Sequence, residues 1–275
     1  MTAAGPDTGA AGGPRRPSQD LEEAWTEVDG RQIRSFSMGH QTGLPEVVLI
    51  PGLGAPAYLY PWMRQLGRWT RATVLDLPGW LRGRGRSSTS TVAAVGAAAT
   101  RWLETTDRHD VVLVGHSSGA QSAIRTALDL PDLIVGLVLA GPTLDSRARN
   151  PAVLLARFLD TVAREKLSEL PAVLPWYIAS GGLPWLRLAG SSVRDRPEDL
   201  LPGVRRPVLV LTGDRDRFAP PAWAQHLATL AKATCFLLPG PHNACFTSPE
   251  AADAALHQAV LGWATATATS QEPPH

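Results

Sequence analysis

The chain has 275 residues, 44% hydrophobic and 19% charged, enough for one sizeable core with an insertion or for two small domains. Its 26 basic and 25 acidic residues leave a net charge of +1, which offers no electrostatic case for nucleic acid or an anionic membrane surface. Two cysteines, Cys235 and Cys245, are too few for a disulfide framework or a four-ligand zinc site, so they read as reduced, buried thiols.

No stretch approaches the ~20 apolar residues of a membrane span. No apolar run follows the early basic residues, as a secretory signal would need. A cytoplasmic location is therefore expected. Residues 1–20, rich in Gly, Ala and Pro, are expected to be a disordered tail, and 267–275 a flexible one.

Trp25 to Met38 alternates around Asp29-Gly30, the signature of a hairpin. EVVLI, after Pro45, is a short apolar run rich in β-branched residues, as in a strand buried on both faces of a parallel sheet. Similar runs recur at 72–77, 111–115, 133–141, 207–213 and 233–240. Helical patterns lie between most of them, at 91–105, 120–128 and 221–230. Alternating strands and helices predict an α/β fold: a mostly parallel twisted sheet, helices on both faces, and the leading hairpin antiparallel at one edge.

Leu144 to Leu201 breaks this rhythm. An apolar helical stripe at 153–159, with Val162 and Leu167, is followed by PWYIASGGLPWLRLAG, and no strand is evident. A small helical cap over 144–201 is expected, splitting a discontinuous core of 21–143 and 202–266.

Residues 111–120 read VVLVGHSSGA and contain G-x-S-x-G, from Gly115 to Gly119. The pattern alone is weak. Its place directly after an apolar strand and before an Ala-rich helix is the strand–turn–helix setting the motif requires. A serine on so sharp a turn is strained, and glycine two residues either side removes Cβ atoms that would crowd. Ser117 is thus the candidate nucleophile, with the Ser118 N–H at a helix N-terminus where negative charge is favoured.

A serine hydroxyl needs an adjacent base, and that base an orienting acid. Of seven histidines, only His242 follows a strand able to carry it to the sheet's C-terminal edge. His116 neighbours Ser117 but should point away and pack or hydrogen-bond locally. Asp214 and Asp216 share the loop after the preceding strand, and local physics does not choose between them.

These segments resemble the α/β-hydrolase superfamily, in its serine-nucleophile branch with a helical cap, from about Trp25 to Trp263. LIPGLG at 49–54 is similar to the family's oxyanion loop, with Pro51 in place of the usual His and Leu53 as the implied second N–H donor beside Ser118. VLDLPGW…RSS at 74–88 resembles a family loop widened by residues 81–85. TGDRDRFAP aligns Gly213, Asp216 and Pro220 with the family pattern and so selects Asp216 as the acid. Asp145, after the preceding strand of the sheet, is the alternative that some members use. PGPHNACFTSPE resembles the family's ending around its histidine, with Pro241 inserted.

The resemblance implies acyl transfer: Ser117 attacks a carbonyl, His242 takes its proton, Asp216 holds the imidazole, and no cofactor or metal is needed. Serine at 117 argues against the branches that use a carboxylate nucleophile. Ester, thioester and lactone hydrolysis remain open, as do carbon–carbon hydrolysis and lyase or cyclase chemistry. Trp62, Trp80, Trp176, Tyr177, Leu183 and Trp185, with Leu186 and Leu188, are candidates to line an apolar pocket for a bulky or aromatic small-molecule substrate. Arg82, Arg84 and Arg86 crowd one loop and could meet a carboxylate or a carrier's phosphopantetheine. The expected partner is a small molecule, carrier-bound or free, acted on by a monomer or homodimer.

Overall fold

The computed structural model describes residues 21–80, 85–164 and 170–269. The tail expected at 1–20, Arg82, Arg84 and Leu167 lie outside the described residues.

The hairpin forms as β1 (Glu22–Val28) and β2 (Arg31–Met38), antiparallel about Asp29-Gly30. Both turn residues have positive φ, 49° and 71°, as a two-residue turn matching strand twist demands. There follow β3 (Glu46–Ile50), α1 (Tyr60–Leu66), β4 (Ala72–Asp76), α2 (Val92–Thr105), β5 (Val111–His116), α3 (Ser118–Asp129) and β6 (Ile134–Ala140). Next come α4 (Pro151–Arg164), α5 (Leu170–Ala179), α6 (Leu183–Arg194) and α7 (Pro197–Leu200). The chain closes with β7 (Val208–Gly213), α8 (Pro221–Leu230), β8 (Thr234–Leu238), α9 (Ala244–Thr247) and α10 (Pro249–Thr269).

One eight-stranded sheet runs β1-β2-β4-β3-β5-β6-β7-β8. β2 pairs antiparallel with β4, and every pairing from β4 to β8 is parallel. Side chains alternate between two cores. Val48, Ile50, Val111 and Leu113 pack with Trp102, Ala123, Ile124 and Leu227 from α2, α3 and α8. Val47, Leu49, Val112 and Val114 pack with Trp62, Met63, Leu256 and Val260 from α1 and α10 on the other face. Strands covered on both sides can be apolar throughout, which is why β3, β5 and β7 read as continuous hydrophobic runs.

β8 differs, because it is the sheet's edge: Phe236 and Leu237 are 36% and 58% exposed. α10 also extends through Thr269, past the expected start of the tail at 267, since its alternating Ala and Thr do not interrupt a helix already nucleated on the core.

Between β6 and β7 the described chain contains helices and no strand. α6 is tied to the core by polar contacts. The Gln121 amide bonds Ser192 twice: Nε2 donates to the Ser192 backbone carbonyl at 2.9 Å, and Ser192 Oγ donates to Gln121 Oε1 at 2.5 Å. The Val92 N–H donates to Ser191 Oγ at 2.9 Å, and Arg125 pairs with buried Asp195. Helix α6 is thereby held beside the C-terminal ends of the strands.

Candidate active site

The parallel strands release their loops on one edge of the sheet. Leu53 follows β3, Ser117 follows β5, Asp216 follows β7 and His242 follows β8. Although Ser117 and His242 are 125 positions apart, Ser117 Oγ lies 2.9 Å from His242 Nε2. His242 Nδ1 lies 2.8 Å from Asp216 Oδ2, and all three residues are buried.

Ser117 sits on the turn in strained geometry, φ 54° and ψ −124°. A Cβ on Gly115 would lie 2.4 Å from the Gly119 carbonyl oxygen, as the elbow argument expects. Gly119 is required for a further reason: its Cβ would stand 2.3 Å from the Ile50 carbonyl oxygen at the end of β3. The first turn of α3 is thus pressed against the loop carrying Leu53.

Asp216 has each oxygen committed. Oδ1 accepts from the Phe218 and Ala219 N–H groups at 2.8 and 2.7 Å, leaving Oδ2 for His242. An ionised carboxylate only accepts, so His242 Nδ1 carries the proton and Nε2 presents its lone pair to Ser117. The other acids lie elsewhere. Asp214 is half exposed, accepts from Gly240 N–H at 2.9 Å and pairs with Arg215. Asp145 accepts from Ala148 N–H and pairs with Arg157 at 2.9 Å.

A model of the α/β hydrolase family matches residues 47–255. The chain belongs to that family. Among curated proteins, it is similar to the dihydrolipoyllysine-residue acetyltransferase component of the acetoin cleaving system of Cupriavidus necator, 25% identical over 228 residues. That match takes in 73% of this chain and 59% of the relative, so the chain spans under two thirds of that protein's length.

Similar solved folds include a putative lipase from Acinetobacter baumannii, at 16% identity and TM-score 0.75, covering 90% of this chain and 93% of the other. An esterase from Thermogutta terrifontis has 19% identity and TM-score 0.69, covering 89% and 99%. An enol-lactonase from Burkholderia xenovorans has 18% and 0.67, covering 88% and 100%. At these identities the likeness is one of fold.

In this α/β hydrolase the loop after β3 is held in an unexpected way. Pro51 stands where the resemblance implies a histidine, and Tyr58 holds the loop from within this chain. The Gly52 N–H donates to the Tyr58 hydroxyl at 2.6 Å, and that hydroxyl lies 2.8 Å from His116 Nδ1. Tyr58 and His116 thus share a buried hydrogen bond whose direction follows the His116 tautomer. Burial first, and His242 second, push His116 down to about 3, so it stays neutral. His116 thus bonds locally, as expected from sequence. No pattern singled out Tyr58, because a turn of PAYL carries no signal until the fold brings it under His116.

The Gly52–Gly54 turn approaches the nucleophile closely. A Cβ on Gly52 would lie 2.6 Å from Ser117 Cβ, and Leu53 adopts a positive φ of 44°. The Leu53 N–H, the implied second oxyanion donor, is directed at Ser118 Oγ, 2.9 Å away.

A cavity of about 350 Å³ has Leu53, Ser117 and Ser118 in its wall and is otherwise largely apolar. Leu144, Leu154, Leu155, Trp185, Leu186 and Phe218 complete most of it. Of the eight residues expected to line a pocket, Trp185 and Leu186 line this one. Trp62 lies on α1, fully buried against the sheet. Trp80 packs into the core against Gly54, and Trp176 is buried near Arg34. Tyr177 supports Trp185 edge-on at 6.1 Å, and Leu183 is 78% exposed at the start of α6.

The physical reason is competition for burial: the largest aromatic surfaces gain most in the core, which leaves the cavity to medium aliphatics. Leu188 likewise joins the core, whereas Leu186 does line the cavity. The α4 stripe at 153–159 was the available signal for Leu154 and Leu155. Arg86 is exposed. Among the described residues no group of His, Cys, Asp and Glu is placed to hold a metal, and no helix is long and apolar enough to cross a membrane.

Proposed function

We propose that this chain is a serine hydrolase acting on an ester, thioester or lactone with an apolar acyl group, through an acyl-enzyme on Ser117. The observation that carries the reading is the unbroken chain from Ser117 Oγ through His242 to Asp216, at 2.9 and 2.8 Å, opening into an apolar cavity.

In this reading Ser117 Oγ forms a bond to the carbonyl carbon while the carbonyl electron pair moves onto oxygen. The Ser117 proton passes to His242 Nε2. Asp216, held by two backbone N–H groups, stabilises the resulting imidazolium. Neutral His116, 5.3 Å from the His242 ring, adds no second positive charge beside it. Collapse of the intermediate expels the alcohol or thiol with the proton from His242, and water repeats the sequence to release the acid.

The cavity, with Trp185 and Phe218 among leucines, accepts a medium-length aliphatic or aromatic acyl group and offers few polar partners. The helices α4 and α6, which supply Leu154, Leu155, Trp185 and Leu186, act as the cap. The reading agrees with the esterase, lipase and lactonase named among the similar folds.

Labelling by a fluorophosphonate probe tests the nucleophile, with Ser117→Ala as control. Labelling of wild type alone supports it, and absence of labelling of folded wild type refutes it. A p-nitrophenyl ester series then tests the pocket: kcat/KM should rise from acetate toward chains of about six to eight carbons, as ~0.8 kcal/mol per buried methylene implies. Best turnover of acetate would refute the apolar acyl site.

A further inference from the structure

The family resemblance implies that the Leu53 N–H binds the oxyanion directly, but in this structure that N–H is already engaged. It donates to the side chain of Ser118 at 2.9 Å. A hydroxyl has one hydrogen to give and two lone pairs to accept with. One lone pair receives Leu53, and among the described residues no acceptor takes the hydroxyl hydrogen. Ser118 is 4% exposed and lines the cavity together with Ser117 and Leu53. A buried hydroxyl therefore stands next to the nucleophile with its donor unspent.

We propose that the Ser118 side chain is a catalytic residue: its hydroxyl donates to the oxyanion, with the Leu53 N–H behind it as a relay. This rests on the serine-hydrolase reading and refines which groups hold the charge. A hydroxyl that accepts a hydrogen bond is polarised and becomes a better donor, so the Leu53 dipole reaches the oxyanion through Ser118. The Ser118 backbone N–H, at the start of α3, supplies the other contact. The two donors thus come from one residue, and the loop after β3 serves to orient the hydroxyl. That use explains why the loop is fixed so firmly, by Tyr58 on Gly52 and by the contact of Gly119 with the end of β3.

The test compares wild type with Ser118→Ala, Ser118→Thr and Ser118→Cys on one p-nitrophenyl ester. Inhibition constants for a trifluoromethyl ketone, whose adduct carries the oxyanion, are measured alongside. Removal of an oxyanion donor typically costs about 100-fold or more; with the Leu53 N–H released to compensate in part, a loss of about 10- to 100-fold in kcat is expected for Ser118→Ala. KM should change less than about threefold, and the ketone's inhibition constant should rise in step with the fall in kcat/KM. Ser118→Thr, which keeps the hydroxyl, should recover most of the rate. Ser118→Cys, of similar size and a weak donor, should fall near Ser118→Ala, and it gives the answer if the alanine variant folds poorly.

Equal or higher kcat in Ser118→Ala would overturn the proposal, because the hydroxyl would then merely block Leu53. Threonine as impaired as alanine would also overturn it, since the loss would follow shape. Inactive, unlabelled wild type would sink the hydrolase reading itself, whereas an active wild type with an indifferent Ser118 sinks only this proposal.

Discussion

Asp216→Asn is a small change in shape with a large expected effect, and the structure says why. The Oδ1 position of Asp216 faces two N–H donors, from Phe218 and Ala219, at 2.8 and 2.7 Å. An asparagine must place its carbonyl oxygen there, because its NH2 group would meet two donors head-on. The NH2 then faces His242 Nδ1, where the carboxylate had stood 2.8 Å away. An NH2 can only donate, so Nδ1 must give up its proton and Nε2 must carry one. Nε2 is the atom 2.9 Å from Ser117 Oγ, and with a proton on it the imidazole cannot act as base.

The loss expected from such an inverted tautomer is about 10³- to 10⁴-fold in kcat, or roughly 4–5.5 kcal/mol of transition-state stabilisation. The assay is ester hydrolysis at pH 8, with melting temperature as the check on folding. Asp214→Asn and Asp145→Asn serve as controls. Asp214→Asn disturbs an exposed ion pair and Asp145→Asn a largely buried one to Arg157, so the second costs more stability, but each should leave kcat within about threefold. If Asp216→Asn retains more than a tenth of the rate, or if Asp145→Asn loses more, the assignment of the acid is wrong.

Two further outcomes are expected. Tyr58→Phe leaves the buried Gly52 N–H and His116 Nδ1 unpaired, at about 1–3 kcal/mol each, so melting temperature and kcat/KM should fall together; an unchanged rate would show that Tyr58 does not position the loop. Asp76 is buried, and burial outweighs the lowering by Arg34 to push its carboxyl up to about 7 from 3.8. The folded chain therefore holds that proton more tightly, and stability should fall as pH rises from about 4 to 7 and level off above, by on the order of 4 kcal/mol. Asp76→Asn, which mimics the protonated form, should gain melting temperature over wild type progressively from pH 4.5 to 8; a difference independent of pH would refute this.

Much of the architecture was legible in the sequence because it depends on local pattern. Runs such as EVVLI and VVLVG are apolar throughout only where both faces are covered, and they became the central parallel strands β3 and β5. Gly115, Ser117 and Gly119 announced a strand-to-helix turn, since only that spacing leaves room for it. Ser117 and His242 could be named because a parallel sheet delivers every loop to the same edge, Asp216 was chosen by the family resemblance, and those three side chains do meet.

What only the tertiary structure decided concerns groups whose roles depend on neighbours far along the chain. Local physics does not separate Asp214 from Asp216 in TGDRDRFAP, where only the family resemblance chose, until β8 brings His242 to one and Gly240 to the other. The aromatic residues looked like pocket residues, but composition does not record direction, and Trp62, Trp80 and Trp176 turn into the core. Tyr58 under Gly52 and the Ser118 hydroxyl against Leu53 carry no motif. A hydrogen bond is a matter of ångströms and angles, and those are set only when the loop after β3 closes over the first turn of α3.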